Sequence, residues 1–233
     1  MAAVLDQYLD NQGRRIATHV VLEAVLNAAS HPKASMAYTS SQFIREDYVL
    51  DALQRGPYLE VAIWDDGDPI AYTLQQAIHD GREVKSAAYG FVEEEFTVKL
   101  VRTATGQPEI RILSTKNPGI DYNFPWLTVS AFLAGITSRP RAQGANSKST
   151  PGIRGSEEEL PAELWDRGGI GLYLIRKNVI DLFKGRIRYM CQNYRMSMSS
   201  GGDRGVYDVL IQHRPDNSWP LRGNLMILEI PLG

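Results

Sequence analysis

The chain has 233 residues, a formal net charge of -2 and 22% charged side chains. This balance suits a soluble globular domain and gives no long-range field toward nucleic acid or anionic lipid. Cys191 is the one cysteine, so no internal disulfide can form. A cytoplasmic location is expected. The opening residues MAAVLDQYLDNQGRR lack the apolar segment of a signal peptide. No run of about 18 apolar residues occurs, so no membrane span is expected.

In chain order, the first predicted element is a helix over residues 14–30. Ile16, Val20, Ala24 and Ala28 recur at helical spacing, joined by Val21, Leu22 and Val25, and Pro32 follows its end. His19, Glu23, Asn27 and His31 stand four apart on it and form one polar stripe. A carboxylate one turn from an amide can share one task. Glu23 can accept a proton, and Asn27 can offer oxygen to a magnesium ion. The stripe also reads as the wet face of an amphipathic helix.

Residues 58–64, YLEVAIW, alternate as a strand and run into the turn cluster Asp65-Asp66-Gly67-Asp68-Pro69. A carboxylate at a strand mouth can accept from an exocyclic amine, with a glycine beside it to admit a flat ring. An acid-rich turn is the plainer reading. Residues 94–114 predict two strands joined around Gly106-Gln107-Pro108. Residues 138–160 are small, polar and proline-rich, the composition of a mobile loop. Arg139, Arg141, Arg154 and Arg167, in or beside it, read as solvated charges that could also meet phosphate.

Gly168, Gly169 and Gly171 precede a predicted helix running to about Phe183, with Leu174, Ile175, Asn178, Val179 and Leu182 at its spacing. Clustered glycines before a helix suit phosphate or simply a tight turn. Strands are predicted over 185–192, 205–213 and 224–232. Cys191 lies in the first of these and reads as a buried small apolar residue. The order of elements predicts an α+β two-layer sandwich, with a mostly antiparallel mixed sheet and helices on one face.

Four segments, in order, resemble the motifs of the ATPase superfamily that joins gyrase, heat-shock chaperones, histidine kinases and MutL. HVVLEAVLNAASH (19–31) resembles its asparagine box. EVAIWDDGDPI (60–70) resembles the first glycine box, with Pro69 where that box usually ends in Gly. GGIGLYLIRKNVIDLF (168–183) resembles the second, in the form typical of anti-sigma-factor kinases and two-component kinases. RGNLMILEIPL (222–232) resembles the closing strand, with Asn224 in place of Thr.

The resemblance implies a Bergerat-type fold binding Mg2+ and ATP or ADP. Glu23 would be the general base and Asn27 the magnesium ligand. Asp65 would read adenine with Gly67 beside the ring and Asn224 near it. Gly168, Gly169 and Gly171 would form the phosphate-facing turn. It implies one ATP-binding domain over 1–233. The separation of Asp65 from Gly169, far longer than in the compact kinases of that superfamily, predicts an inserted substructure over 71–137 before an ATP lid over 138–167. The activity expected is that of an ATPase or protein kinase acting in signalling, with a protein partner or phosphoacceptor. Glu23 stands too near the first residue for a phosphoacceptor hairpin before it, so an autonomous histidine kinase is not expected. Two other uses of the same site stay open: an ATP-gated interaction module without catalysis, and a conformational ATPase of the chaperone or mismatch-repair kind. A homodimer stays open as well.

Overall fold

A computed structural model describes residues 2–30, 33–45, 56–80, 97–102, 108–113, 128–129, 131–132, 171–192, 194–201, 207–213 and 221–232. Its helices are α1 (Ala2–Tyr8), α2 (Asn11–Ala29), α3 (Ile70–His79) and α4 (Gly171–Arg176), which continues into a π-helical stretch, Lys177–Leu182. Its strands are β1 (Ala37–Ile44), β2 (Tyr58–Asp65), β3 (Thr97–Arg102), β4 (Pro108–Leu113), β5 (Arg186–Gln192), β6 (Tyr194–Ser200), β7 (Tyr207–His213) and β8 (Leu221–Pro231).

The strands form one eight-stranded sheet in the order β1-β2-β8-β5-β6-β7-β4-β3. Every described pairing is antiparallel, where the sequence predicts a mixed sheet. The α+β class holds. The β3–β4 pair from the 71–137 segment joins the sheet through β7 and extends its edge. The predicted lid, 138–167, lies outside the described residues.

Strand alternation sorts the side chains onto two faces. Val61, Leu228, Ile187, Met198 and Val209 form one cross-strand row, and all five are buried. Ile63, Met226, Tyr189 and Met196 form the next buried row. Helices α2 and α4 lie against each other, α2 meets β1 and β2, and the π stretch meets β5, β6 and β8. From α2, Ile16, Ala17, Val20, Val21, Ala24 and Ala28 are buried, while Leu22 is 48% exposed. The opposite sheet face carries charge: Arg188 bridges Glu60 at 2.5 Å and Glu229 at 2.8 Å.

Helix α2 starts at Asn11, three residues before the predicted start. Asp10 caps it, its carboxylate accepting from the Gly13 N–H at 2.6 Å. Helix α3 places Ala71, Leu74 and Ala77 in the core. The helix predicted through Phe183 widens after Arg176. The Asn178 amide donates to the Leu174 carbonyl at 2.9 Å, and the Phe183 N–H bonds to the Asn178 carbonyl five residues back. A polar side chain that takes up a turn's carbonyl loosens the ladder there.

Candidate functional site

Asp65 ends β2 opposite Asn224 of β8. Both are buried, at 6% and 3% exposure, although they lie where the sheet gives way to a loop. The Asn224 amide explains how. Its Nδ2 donates to Asp65 Oδ1 at 2.9 Å, to the Asp68 carbonyl at 3.1 Å and to the Gly67 carbonyl at 3.3 Å. The Gly67 N–H donates to the same Asp65 Oδ1 at 2.9 Å. One strand-borne amide thus ties the acidic turn to the sheet. A buried polar group is tolerable only when bonded in this way.

Gly223 makes the approach feasible. Its φ of +87° and its position against the Asp65 carbonyl both require a residue without a side chain. The pairing of β5 with β8 also shifts register between Cys191 and Gln192, beside Asn224. Asn224 therefore belongs to an irregular strand segment, as a β-bulge produces.

Pro69 has a structural role. Helix α3 begins at the next residue, and the Pro69 carbonyl accepts from the Thr73 N–H at 3.1 Å. Proline at a helix start loses no intrahelical hydrogen bond, because the first N–H groups have no partner in the helix.

Asp66 faces away from this network. It accepts from Ser35 Oγ at 2.5 Å, from the Ser35 N–H at 2.7 Å and from the Met36 N–H at 2.9 Å. The Ser35 hydroxyl, then the Met36 and Ser35 amides, hold its carboxyl down at about 2. Lys33 Nζ lies 2.8 Å from Asp68 Oδ2. Both acids flanking Gly67 are thus anchored to the 33–36 segment.

The polar stripe of α2 is half-buried, not the wet face of the helix. His19 and Glu23 are 14% and 24% exposed, with His19 Nε2 3.8 Å from Glu23 Oε1. Leu22 and Leu26 occupy the exposed side instead, at 48% and 46%. Helix α4 covers the stripe, and its first residue, Gly171, touches it. A Cβ on Gly171 would stand 2.6 Å from Asn27 Nδ2 and 3.2 Å from both Asn27 Oδ1 and Glu23 Oε2. Asn27 Nδ2 is buried without a hydrogen-bond partner, which native structures seldom permit without a further ligand or water.

Glu23, Asn27 and Gly171 are therefore one cluster, and Asp65, Gly67 and Asn224 another. Gly168, Gly169, His31 and the arginines at 139, 141, 154 and 167 lie outside the described residues. Among the described residues no group of three or more His, Cys, Asp or Glu side chains could hold a metal. Asn27 suits a magnesium ion held mostly by phosphate and water, since such sites draw few ligands from the protein. A half-turn about its last torsion exchanges its amide N and O with little change of shape.

Tyr189 was not evident as a site residue. It is 1% exposed, its hydroxyl donates to Asn224 Oδ1, and it accepts from the Ile70 N–H at 3.2 Å. Its alternation within RIRYMCQ marks it as inward-facing, but its partner depends on β5 lying beside β8. Cys191 is buried as expected, and burial pushes its thiol up to about 12. No protein-family model, curated protein or solved structure matches the chain.

Proposed function

We propose that the protein binds an adenine nucleotide with magnesium, in a site of the type found in the gyrase, chaperone, histidine kinase and MutL superfamily. The observation that carries this reading is the seating of Gly171 on Glu23 and Asn27. Two motifs far apart in the chain, each ambiguous alone, meet at the residues for which the resemblance implies a shared role. The antiparallel sheet layered with α2 and α4 is compatible with a Bergerat-type fold.

On this reading the Asp65 carboxylate accepts from the exocyclic amine of adenine, and Gly67 lets the ring lie close to the backbone. Asn27 would hold the metal through its amide oxygen. Bound magnesium would neutralise charge on the phosphates. Glu23 takes the proton of the water or protein hydroxyl that attacks the γ-phosphate while the bond to the leaving ADP breaks; His19 Nε2 stands 3.8 Å from Glu23 Oε1. Gly171 leaves room for both side chains.

Titration calorimetry with ATP and ADP in magnesium tests binding, and phosphate release from γ-labelled ATP tests turnover. Binding is expected, together with turnover that Glu23→Ala abolishes. Binding without turnover in either protein would assign the site to an ATP-gated interaction module. No binding at millimolar nucleotide would overturn the proposal.

A further inference from the structure

We infer that Tyr189 is a positioning residue that fixes the base preference of the Asp65 site in favour of a 6-aminopurine. This rests on the nucleotide-binding reading above and deepens it.

The inference follows from which atoms can donate. Ile70 is the first residue of α3, so its N–H has no acceptor within the helix. It points to Tyr189 Oη at 3.2 Å. A backbone amide can only donate, so Oη accepts there. The Cys191 thiol also lies beside this hydroxyl, but a neutral thiol is a much weaker acceptor than an amide oxygen, so the single phenolic hydrogen is directed to Asn224 Oδ1. This fixes the amide: Oδ1 faces Tyr189 and Nδ2 faces the turn.

The other end of the amide requires the same orientation. Nδ2 meets Asp65 Oδ1, the Gly67 carbonyl and the Asp68 carbonyl, and all three are acceptors. A reversed amide would set its oxygen against three oxygens. With the amide so held, Asp65 Oδ1 receives the Asn224 N–H and the Gly67 N–H together. The chain Ile70 → Tyr189 → Asn224 → Asp65 therefore has one direction, and it ends in a carboxylate held as an acceptor.

Tyr189, Asn224 and Asp65 are 1%, 3% and 6% exposed, so bulk water cannot readily reset that direction. The Tyr189 hydroxyl is also kept neutral. Burial, the largest cause, holds its pKa well above that of a free tyrosine, so it remains a donor. A carboxylate fixed as acceptor is matched by the 6-amino group of adenine. The 6-oxo group of guanine or hypoxanthine would oppose it with lone pairs. Such mismatches of buried polar groups carry large discrimination.

The test is calorimetry of ATP and GTP, each with magnesium, on the wild type, Tyr189→Phe and Asn224→Ala. Phenylalanine keeps the ring in the core and removes only the hydroxyl. Tyr189→Phe is expected to weaken ATP binding about 10-fold and to narrow the ATP-over-GTP ratio by a similar factor, the scale of one buried hydrogen bond. Asn224→Ala should narrow the same ratio, which keeps the test usable if Tyr189→Phe does not fold. A purely structural loss would weaken both nucleotides equally and leave the ratio unchanged. An unchanged ratio with ATP still bound overturns the role of Tyr189 and spares the site. A wild type that binds neither nucleotide overturns the site itself, and this role with it.

Discussion

Gly171 sits against Asn27 so closely that even a methyl group on it would stand 2.6 Å from the Asn27 Nδ2 atom. That distance lies well inside van der Waals contact, so the two positions are mutually constrained. Gly171→Ala is expected to displace the Asn27 and Glu23 side chains while leaving the sheet intact. Overpacking of this size costs about 1–3 kcal/mol. For a domain of this length each kcal/mol lowers the melting temperature by roughly 2–4 °C. Thermal unfolding should therefore show a moderate drop, and magnesium-dependent nucleotide binding should fall more steeply than stability does. Full binding in a Gly171→Ala protein would mean that the cluster takes no part in the site.

Gly223 offers a second backbone test, at the other cluster. Its φ is +87°, and a Cβ there would stand 1.9 Å from the Asp65 carbonyl oxygen. The atom it would meet is backbone, which cannot swing aside. Gly223→Ala combines a left-handed strain of about 1–2 kcal/mol with an overpacking cost of about 1–3 kcal/mol. Denaturant unfolding should show a loss on the order of 2–5 kcal/mol, the largest expected for any glycine-to-alanine change near the site. A loss under about 1 kcal/mol would show that β8 and the acidic turn part without cost.

The two clusters differ in how far the sequence disclosed them. The spacing of Glu23 and Asn27 is a local property of one helix, and α2 carries them as the periodicity predicts. The strand ending at Asp65 was equally legible, because alternation and a turn cluster are local signals. What could not be read were relations between strands. Tyr189 becomes a site residue only because β5 lies beside β8, and Asn224 reaches Asp65 only because β8 lies beside β2. The residues 37–44, AYTSSQFI, gave no strand signal, since six of the eight are exposed and their apolar pattern is weak. Helix α3 was obscured by the turn cluster before it, which read as loop, although Pro69 is an ordinary helix-start residue. The π stretch is illegible because its six residues, Lys177–Leu182, are too few to impose an apolar period different from that of the α-helix they continue.

Acid should act on the acidic turn at a definite place. Asp66 is held at about 2 in the fold, against an ordinary value of 3.8. A carboxylate with a depressed pKa stabilises the fold where it is ionised in both states, above 3.8. That contribution declines as pH falls below 3.8 and is gone below about 2. Asp66→Asn should therefore reduce stability at neutral pH and flatten its fall between those two values. Chemical denaturation at a series of pH values checks this. Parallel curves for the two proteins through that window would rule out linkage through Asp66.

Cys191 supplies a probe of opening at the Asp65 site itself. It stands opposite Asn224 in the β5–β8 pair, is fully buried, and has its thiol pushed up to about 12 by burial. The reactive species toward an alkylating agent is the thiolate, so two barriers protect the residue: access and ionisation. Iodoacetamide at pH 8 should label the native protein far more slowly than the unfolded one, and only through opening of β5 or β8. On the proposed reading, a nucleotide bound beside Asp65 would stabilise the closed form by mass action. Labelling should then slow in proportion to site occupancy when ATP and magnesium are added, which mass spectrometry can follow. Labelling that is already fast in the native protein would show that β5 is open to reagent. Slow labelling that saturating nucleotide leaves unchanged would separate this part of the sheet from the site.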